Sequence, residues 1–217
     1  MCARCSCVAG PIENTSHAVS FTEIMSGIST GAMALCEMRN QQTFYEIKHL
    51  ESVEIDKACE LLCSELDEWR PPGRGNQPYK GMAPVCRTHY DFTVVDTMQI
   101  LPADILFATL DCSAVSRENN ATESKDFMHP ENAQCALQLS LALYREKFKW
   151  VLMENVIGYR GSETYQVVRR GLENRYNIIE FNMCTQSLGL PMRRLRFFTF
   201  GRHVSHGRAN EAGFLRA

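Results

Sequence analysis

At 217 residues, with 45% apolar and 22% charged residues, the chain can bury one ordinary core but hardly two, so we expect one domain. It has no run of 18 apolar residues and no charged segment followed by an apolar stretch and a cleavage site, which favours an intracellular protein without a membrane contact. The net charge of −2 is no argument for or against nucleic acid.

Along the chain, residues 1–18 lack periodicity and are predicted to form a loose arm, 19–204 a single α/β core, and 205–217 a tail. Short apolar runs alternate with helical segments in the core, a pattern typical of a mostly parallel sheet covered by helices on both faces. The predicted strands are Val19–Met25, His49–Ile55, a segment before Asp91, Asp104–Thr109, Trp150–Met153, Ile178–Met183 and Leu195–Gly201. The predicted helices are Ala32–Met38, Asp56–Trp69, Pro130–Lys147 and Glu163–Asn174, with an insertion at Arg70–Ala83 and a loop at Ser113–His129.

Ten cysteines are spread through predicted helices and strands, and a chain of this size does not need disulfides for stability, so free thiols are expected. Cys2, Cys5 and Cys7 form a tight cluster, but no second pair of ligands follows at zinc-finger spacing. We therefore predict no metal site.

Charge is distributed unevenly along the chain. Residues 157–217 contain ten arginines, no lysine and four acidic residues, a net +6, which leaves −8 for residues 1–156. Arginine suits bidentate contacts with phosphate, so this polarity fits a face that meets nucleic acid, although charge alone favours a solvated helix and strand surface.

A glycine-bearing turn separates the first predicted strand from the first predicted helix. Glycine lets the backbone approach a ligand, and the helix N-terminus supplies N–H donors. Glu54 ends the second strand, where a carboxylate can accept two hydrogen bonds from ribose, and Ile55 can cover one face of an adenine. Capping of the next helix is the alternative for Glu54. The candidate turn residues are Met25, Ser26, Gly27, Ile28, Thr30 and Gly31.

Cys112 follows the predicted strand Asp104–Thr109 at its carboxyl end, where open α/β sheets bind ligands. A thiol placed beside helix N-termini or arginine tends toward the reactive thiolate. A buried, inert cysteine is the alternative, and the position by itself leaves both open.

Three segments in order resemble motifs of the cytosine-C5 methyltransferases. Asp104-Ile-Leu-Phe-Ala-Thr-Leu-Asp-Cys112-Ser-Ala-Val-Ser116 is similar to the family's strand-opening Asp followed by Pro-Cys-Gln and, four residues after the cysteine, a Ser. Glu154-Asn155-Val156 matches its Glu-Asn-Val triplet, and Gly189-Leu-Pro-Met-Arg-Arg194-Leu-Arg196 resembles its Gly-x-Pro-Gln-x-Arg-x-Arg motif. The resemblance extends over residues 21–201.

The resemblance implies a class I S-adenosylmethionine-dependent methyltransferase fold, Rossmann-like, with S-adenosyl-L-methionine as cofactor. It adds Asp91, Phe92 and Asp104 to the predicted cofactor-binding residues. The residues that it places near the substrate are Asp111, Ser113, Ser116, Asn155 and Val156.

The resemblance also implies a division of chemical roles. Cys112 corresponds to the family's nucleophile, which adds to C6 of cytosine and makes C5 nucleophilic. Glu154 corresponds to the carboxyl group that donates to N3, and Arg196 to the guanidinium at O2, while Arg194 orients the site. Because the target atom is inaccessible within a duplex, the base must be flipped out.

Several positions depart from the family pattern. Asp111 replaces the family's Pro, Ser113 replaces Gln, and Met192 replaces the Gln of the arginine motif. A carboxylate at Asp111 opposes ionisation of the neighbouring thiol. The family's target-recognition region and final helix would follow Ala217, so we expect a fragment, half of a split enzyme completed by a second chain, or a reduced homologue.

The resemblance predicts methyl transfer to C5 of cytosine in DNA, in the nucleus of a eukaryote or the cytoplasm of a prokaryote or phage host. A tRNA methyltransferase of the same superfamily is the alternative, because Ser187-Leu-Gly-Leu-Pro191 followed by Arg194-Leu-Arg-Phe is similar to that branch. An inactive homologue that binds and regulates another protein or a nucleic acid is the third hypothesis, motivated by Asp111, Ser113 and Met192.

Overall fold

A computed structural model describes residues 17–25, 45–54, 56, 58–59, 86–89, 100–112, 115, 126–146 and 148–206. These residues form one seven-stranded sheet, with strands in the order β3-β2-β1-β4-β5-β7-β6. The strands are β1 (His17–Ile24), β2 (Tyr45–Glu54), β3 (Cys86–His89), β4 (Ile105–Ala108), β5 (Trp150–Val156), β6 (Tyr176–Cys184) and β7 (Leu195–His203).

The sheet is parallel from β1 to β5, and β7 is antiparallel to both β5 and β6. Strand order reverses between β1 and β4, since β2 and β3 lie on one side of β1 while β4 and β5 lie on the other. Ligands of open α/β sheets bind at the carboxyl ends of the strands at such a reversal. The predicted mostly parallel α/β sheet is therefore confirmed.

Two helices of the described region, α1 (Pro130–Arg145) and α2 (Glu163–Leu172), pack against each other and complete the core. Pro130 opens α1, where its missing N–H costs nothing. Ser162 caps α2 by accepting a 3.0 Å hydrogen bond from the N–H of Tyr165. The largest buried apolar side chains are Phe21, Ile24, Leu106, Leu139, Leu143, Phe148, Tyr159, Tyr165, Leu172 and Phe197.

All seven predicted strands are present, with different ends. β1 begins at His17, inside the predicted arm, and β5 continues to Val156 because β7 pairs with its whole length, up to Arg196. Helix α2 ends two residues before the predicted Asn174, which adopts a left-handed φ of 64° that cannot continue a helix.

Other predicted elements lie mostly or wholly outside the described residues. They are the helix Ala32–Met38, most of the helix Asp56–Trp69, the insertion Arg70–Ala83, most of the loop Ser113–His129 and the cysteine cluster near the N-terminus. Of the loop, Asp126–Met128 forms a single 3-10 turn. In the described part of the chain, no helix combines the length and the apolar character that crossing a membrane requires.

Candidate active site

The carboxyl ends of β1, β2, β4 and β5 bring several predicted site residues to one edge of the sheet. Met25 directly follows β1, Glu54 ends β2, and Cys112 lies four residues beyond the last residue of β4. Glu154 and Asn155 stand at the end of β5. Strand order reverses between β1 and β4, so a ligand crevice is expected at this edge.

Asn155 holds the segment that leads to Cys112. Its side chain is 4% exposed, and its Nδ2 donates a 2.9 Å hydrogen bond to the carbonyl of Leu110, while its Oδ1 accepts from the N–H of Val156 at 2.8 Å. Both amide groups are therefore satisfied in a buried position. The bond to Leu110 connects the end of β5 to the chain two residues before the thiol.

Val115 lies close both to Cys112 and to the 3-10 helix Ile157–Gly161. The N–H of Val115 donates a 3.1 Å hydrogen bond to the carbonyl of Cys112. A Cβ atom at Gly158 would stand 2.5 Å from the carbonyl oxygen of Val115, closer than any side chain tolerates. Gly158 is thus required for this approach. Sequence reasoning missed it, because the contact joins segments 43 positions apart.

Cys112 is partly buried, and its pKa is raised from the ordinary thiol value. Burial is the main cause, and the negative charge of Asp111 adds to it. Arg196 acts in the opposite direction, and Glu154 again raises the pKa. The predicted effect of Asp111 is confirmed in direction. In the free protein Cys112 is therefore predominantly a thiol at neutral pH.

Glu154 and Arg196 form an ion pair across neighbouring strands. Their Oε1 and Nε atoms are 2.9 Å apart, and the two side chains are 25% and 24% exposed. Glu154 lies opposite Phe198, and Arg196 lies opposite Val156, so the two charged residues are diagonal neighbours on one face of the β5 and β7 pair. A second bond from Arg196 Nη1 to the carbonyl of Leu195, at 3.0 Å, helps to fix the guanidinium.

Arg194 precedes β7, as predicted, and is exposed. Its backbone is fixed by Thr185: the Arg194 N–H donates to Thr185 Oγ1, and its carbonyl accepts from the Thr185 N–H, both at 3.0 Å. Its guanidinium makes no hydrogen bond or ion pair with another described residue. A role for Arg194 in orienting the site stays a prediction.

Met25 and Glu54 mark the side of the crevice where the cofactor is predicted. Met25 adopts a left-handed φ of 52°, which is uncommon for a residue with a side chain and characteristic of tight functional turns. Thr109 Oγ1 donates a 2.6 Å hydrogen bond to the Met25 carbonyl, joining the ends of β1 and β4. Glu54 is partly exposed and accepts a 3.0 Å hydrogen bond from the N–H of Asp56, as a cap would.

The prediction that Asp104 binds the cofactor is wrong. Asp104 immediately precedes β4 and so lies at the amino edge of the sheet, away from the expected crevice. Its Oδ2 accepts from the N–H and the Oγ of Ser20 at 2.8 and 2.9 Å, and its Oδ1 pairs with Lys149 Nζ at 2.6 Å. Burial raises the pKa of Asp104, but these hydrogen bonds and the lysine charge outweigh it and lower the pKa below the ordinary value. Asp104 joins β1, β4 and β5 rather than contacting a cofactor.

The remaining predicted site residues lie outside the described part of the chain, and their roles stay predictions. They are Ser26, Gly27, Ile28, Thr30, Gly31, Ile55, Asp91, Phe92, Ser113 and Ser116.

Several arginines of the basic C-terminal segment serve the fold. Arg169 contacts Glu173 and Glu180, and Arg175 donates to the carbonyl of Leu143. Arg202 is 8% exposed and lies over the ring of Trp150. These three arginines are therefore used within the fold and are not available to one basic face. At the carboxyl edge the contribution comes from Arg193, Arg194 and Arg196.

Solved methyltransferase structures share this fold. The chain is similar to the S. pombe Dnmt2 methyltransferase, with a TM-score of 0.58 and 17% identity, over 88% of this chain and 52% of the other. It is also similar to an E. coli prophage protein described as a DNA modification methyltransferase, with a TM-score of 0.56 and 17% identity, over 89% of this chain and 49% of the other. A Listeria monocytogenes protein described as a class I S-adenosylmethionine-dependent methyltransferase has a TM-score of 0.54 and 10% identity to this chain. The match covers 91% of this chain and 57% of the other.

These matches establish the fold as that of the class I S-adenosylmethionine-dependent methyltransferases, as predicted. The chain spans about half the length of the solved structures it matches. No protein-family model and no curated protein sequence matches it.

Proposed function

We propose that the chain is the catalytic core of a DNA cytosine-C5 methyltransferase. The observation that carries this proposal is the meeting of three motifs distant in sequence at one edge of the sheet. Arg196 and Glu154 form their 2.9 Å pair close enough to Cys112 for both charges to influence the pKa of the thiol. Structural ion pairs also occur at strand ends, but here the pair lies close to the cysteine that follows the central strand of the sheet.

S-adenosyl-L-methionine is the proposed cofactor, and the described residues fit it. The carboxylate of Glu54 stands at the end of β2 with the chemistry that ribose hydroxyls require. The left-handed turn at Met25 ends β1 beside it. When bound, the cofactor supplies a methyl group on a positively charged sulfur. We propose Met25 and Glu54 as its described contacts, with the turn 26–31, Ile55, Asp91 and Phe92 completing the set.

The proposed reaction begins with loss of the Cys112 proton to solvent and attack of Sγ on C6 of cytosine. Arg196 holds O2, and Glu154 takes up a proton from solvent as the base enters and donates it to N3, so the ring becomes an enamine with nucleophilic C5. After C5 gains the methyl group, the C5 proton leaves to a water molecule, the N3 proton returns to Glu154, and the bond between Sγ and C6 breaks, which regenerates the thiolate. The guanidinium that lowers the pKa of Cys112 thus also holds the base.

Asn155 supports the reaction without contacting the base. By holding the carbonyl of Leu110 it fixes where the chain leaves β4, and therefore where Sγ can stand. Ser113, Ser116, Asp111 and Val156 are proposed to line the path of the flipped base.

Transfer RNA is the second candidate substrate, favoured by the segment from Ser187 to Pro191 that precedes the arginine motif. Incubation of the full chain with radiolabelled S-adenosyl-L-methionine, in parallel with duplex DNA and with tRNA, tests both. We expect label in DNA at C5 of cytosine and none with Cys112→Ala. Label in tRNA alone would overturn the choice of DNA.

Absence of transfer to either substrate, when the chain nevertheless binds S-adenosyl-L-methionine, would favour a regulatory homologue. Addition of a second chain that carries a target-recognition region would then distinguish an incomplete enzyme from an inactive one. Restored transfer that still depends on Cys112 would support the proposed core.

A further inference from the structure

The connection between β6 and β7 is an exposed loop at the same edge of the sheet as Cys112. β7 runs antiparallel to β5, so the start of β7 lies beside the end of β5, where Glu154 stands. Residues 186–195 are exposed without interruption. The loop therefore projects from the edge that carries the proposed active site.

This loop is held in one conformation by Thr185. Its N–H donates to the carbonyl of Arg194 and its carbonyl accepts from the N–H of Leu190, at 3.0 and 3.3 Å. Its Oγ1 donates to the carbonyl of Met192 at 2.6 Å and accepts from the N–H of Arg194 at 3.0 Å. Gly189 supplies the left-handed φ of 80° that the turn needs. One residue thus fixes three points of the loop.

Large apolar side chains occupy this ordered loop and face solvent. Leu188, Leu190 and Met192 are 61%, 50% and 56% exposed. Arg193 and Arg194 follow at once, and neither guanidinium makes a hydrogen bond or ion pair with another residue in the described ranges. Apolar side chains on a fixed, exposed loop mark an interaction site, and adjacent arginines indicate that the partner is anionic.

We infer that the loop between β6 and β7, residues 185–194, is a wedge for double-stranded DNA. Leu190 and Met192 insert beside the target base pair, while Arg193 and Arg194 contact the neighbouring phosphates. Apolar wedges that enter between bases favour an unstacked duplex, and the phosphate contacts fix the position of the loop. This inference rests on the proposed function, because the wedge would hold open the space that a flipped cytosine leaves.

The test compares two duplexes that differ only at the target. One contains a paired cytosine, and the other an abasic site at the same position, so that opening no longer has to be driven. In the double variant Leu190→Ala, Met192→Ala of the full chain, we expect affinity for the paired duplex to fall about tenfold and for the abasic duplex less than about twofold. Leu137→Ala, which removes an apolar side chain that is 41% exposed on α1, is the control and should change neither.

Equal loss on both duplexes would show a general contact rather than a wedge and would overturn the inference. Unchanged affinity for both would overturn it while the proposed methyl transfer stands. If the unsubstituted chain bound neither duplex, the wedge would be wrong, while the transfer assay with an added second chain would still decide the proposed function. If the double variant instead changed a dimer into a monomer in sedimentation, the loop would be a contact between copies of this chain, and the wedge would be wrong.

Discussion

The two edges of the sheet use charged residues differently. At the amino edge, Asp104 is surrounded by Ser20 and Lys149, and its carboxylate serves to join three strands. At the carboxyl edge, the pair of Glu154 and Arg196 remains about one-quarter exposed and lies near a thiol whose pKa is raised. Residues with the same functional groups therefore stabilise the fold at one edge and are available to a ligand at the other.

Of the substitutions that test this difference between the two edges, the one at Arg196 should have the largest effect, and that effect is on activity. Arg196→Ala should lower methyl transfer by about 10²–10³-fold, because it removes the donor proposed to stabilise charge on the base. Its partly exposed ion pair contributes at most about 1 kcal/mol to stability, so unfolding should change little. Steady-state transfer rates and urea denaturation measure the two effects, with the exposed Arg170→Ala as control. A transfer rate equal to that of the unsubstituted chain would remove Arg196 from the mechanism.

Asn155→Ala should lower both stability and activity, because Asn155 is buried in the fold and also positions the segment that leads to Cys112. It removes two hydrogen bonds and leaves the buried carbonyl of Leu110 without its donor, at a cost of about 2–3 kcal/mol. For a chain of this size the melting temperature should fall by about 4–12 °C in calorimetry. Asn177→Ala, at an exposed position of β6, serves as control. Equal melting temperatures for both variants would contradict the structural role of Asn155.

Asp104→Asn should lower stability and leave methyl transfer unchanged. The loss of a charged acceptor for Ser20 and Lys149 should cost about 1.5–2 kcal/mol at neutral pH, measured by urea denaturation. Because the pKa of Asp104 is lowered on folding, its contribution is fully present above about pH 4 and is lost progressively as the pH falls through the lower pKa of the folded state. The variant and the unsubstituted chain should therefore converge in acid. A difference that persisted below that pKa would contradict this origin.

The smallest expected effect concerns Asp111. Asp111→Asn removes the second cause of the raised pKa of Cys112, leaving burial as the main one. Alkylation of Cys112 by iodoacetamide at pH 7, followed by peptide mass spectrometry, should quicken only about two- to threefold, because an exposed carboxylate is screened by solvent. Cys184 provides an internal control. Slower alkylation at Cys112 would contradict the sign of the effect.

Much of the fold could be predicted because local patterns determine it. The apolar runs of β4 and β5 are visible in sequence, and they place Cys112 and Glu154 at or just beyond strand ends. Asp104 could also have been placed correctly, since a residue that opens a parallel strand must lie at its amino edge. The family resemblance, rather than the strand pattern, assigned it to the cofactor.

Contacts between distant segments could not be predicted in the same way. The bond from Asn155 to Leu110 and the approach of Gly158 to Val115 depend on how the ends of β4 and β5 are packed, which no local pattern encodes. The fixing of the loop by Thr185 is equally invisible, because a threonine there has no periodicity or spacing to mark it. Sequence predicted the candidate nucleophile, and the structure adds what positions it.

The most direct test of the central claim is covalent trapping on duplex DNA that carries 5-fluorocytosine, with S-adenosyl-L-methionine present. Fluorine at C5 cannot leave as a proton does, so the bond between Cys112 and C6 should persist. We predict a protein–DNA adduct in denaturing electrophoresis, mapped to Cys112 by mass spectrometry and absent from Cys112→Ala. A chain that binds both duplex and cofactor but forms no adduct, or forms it through another cysteine, would contradict the account.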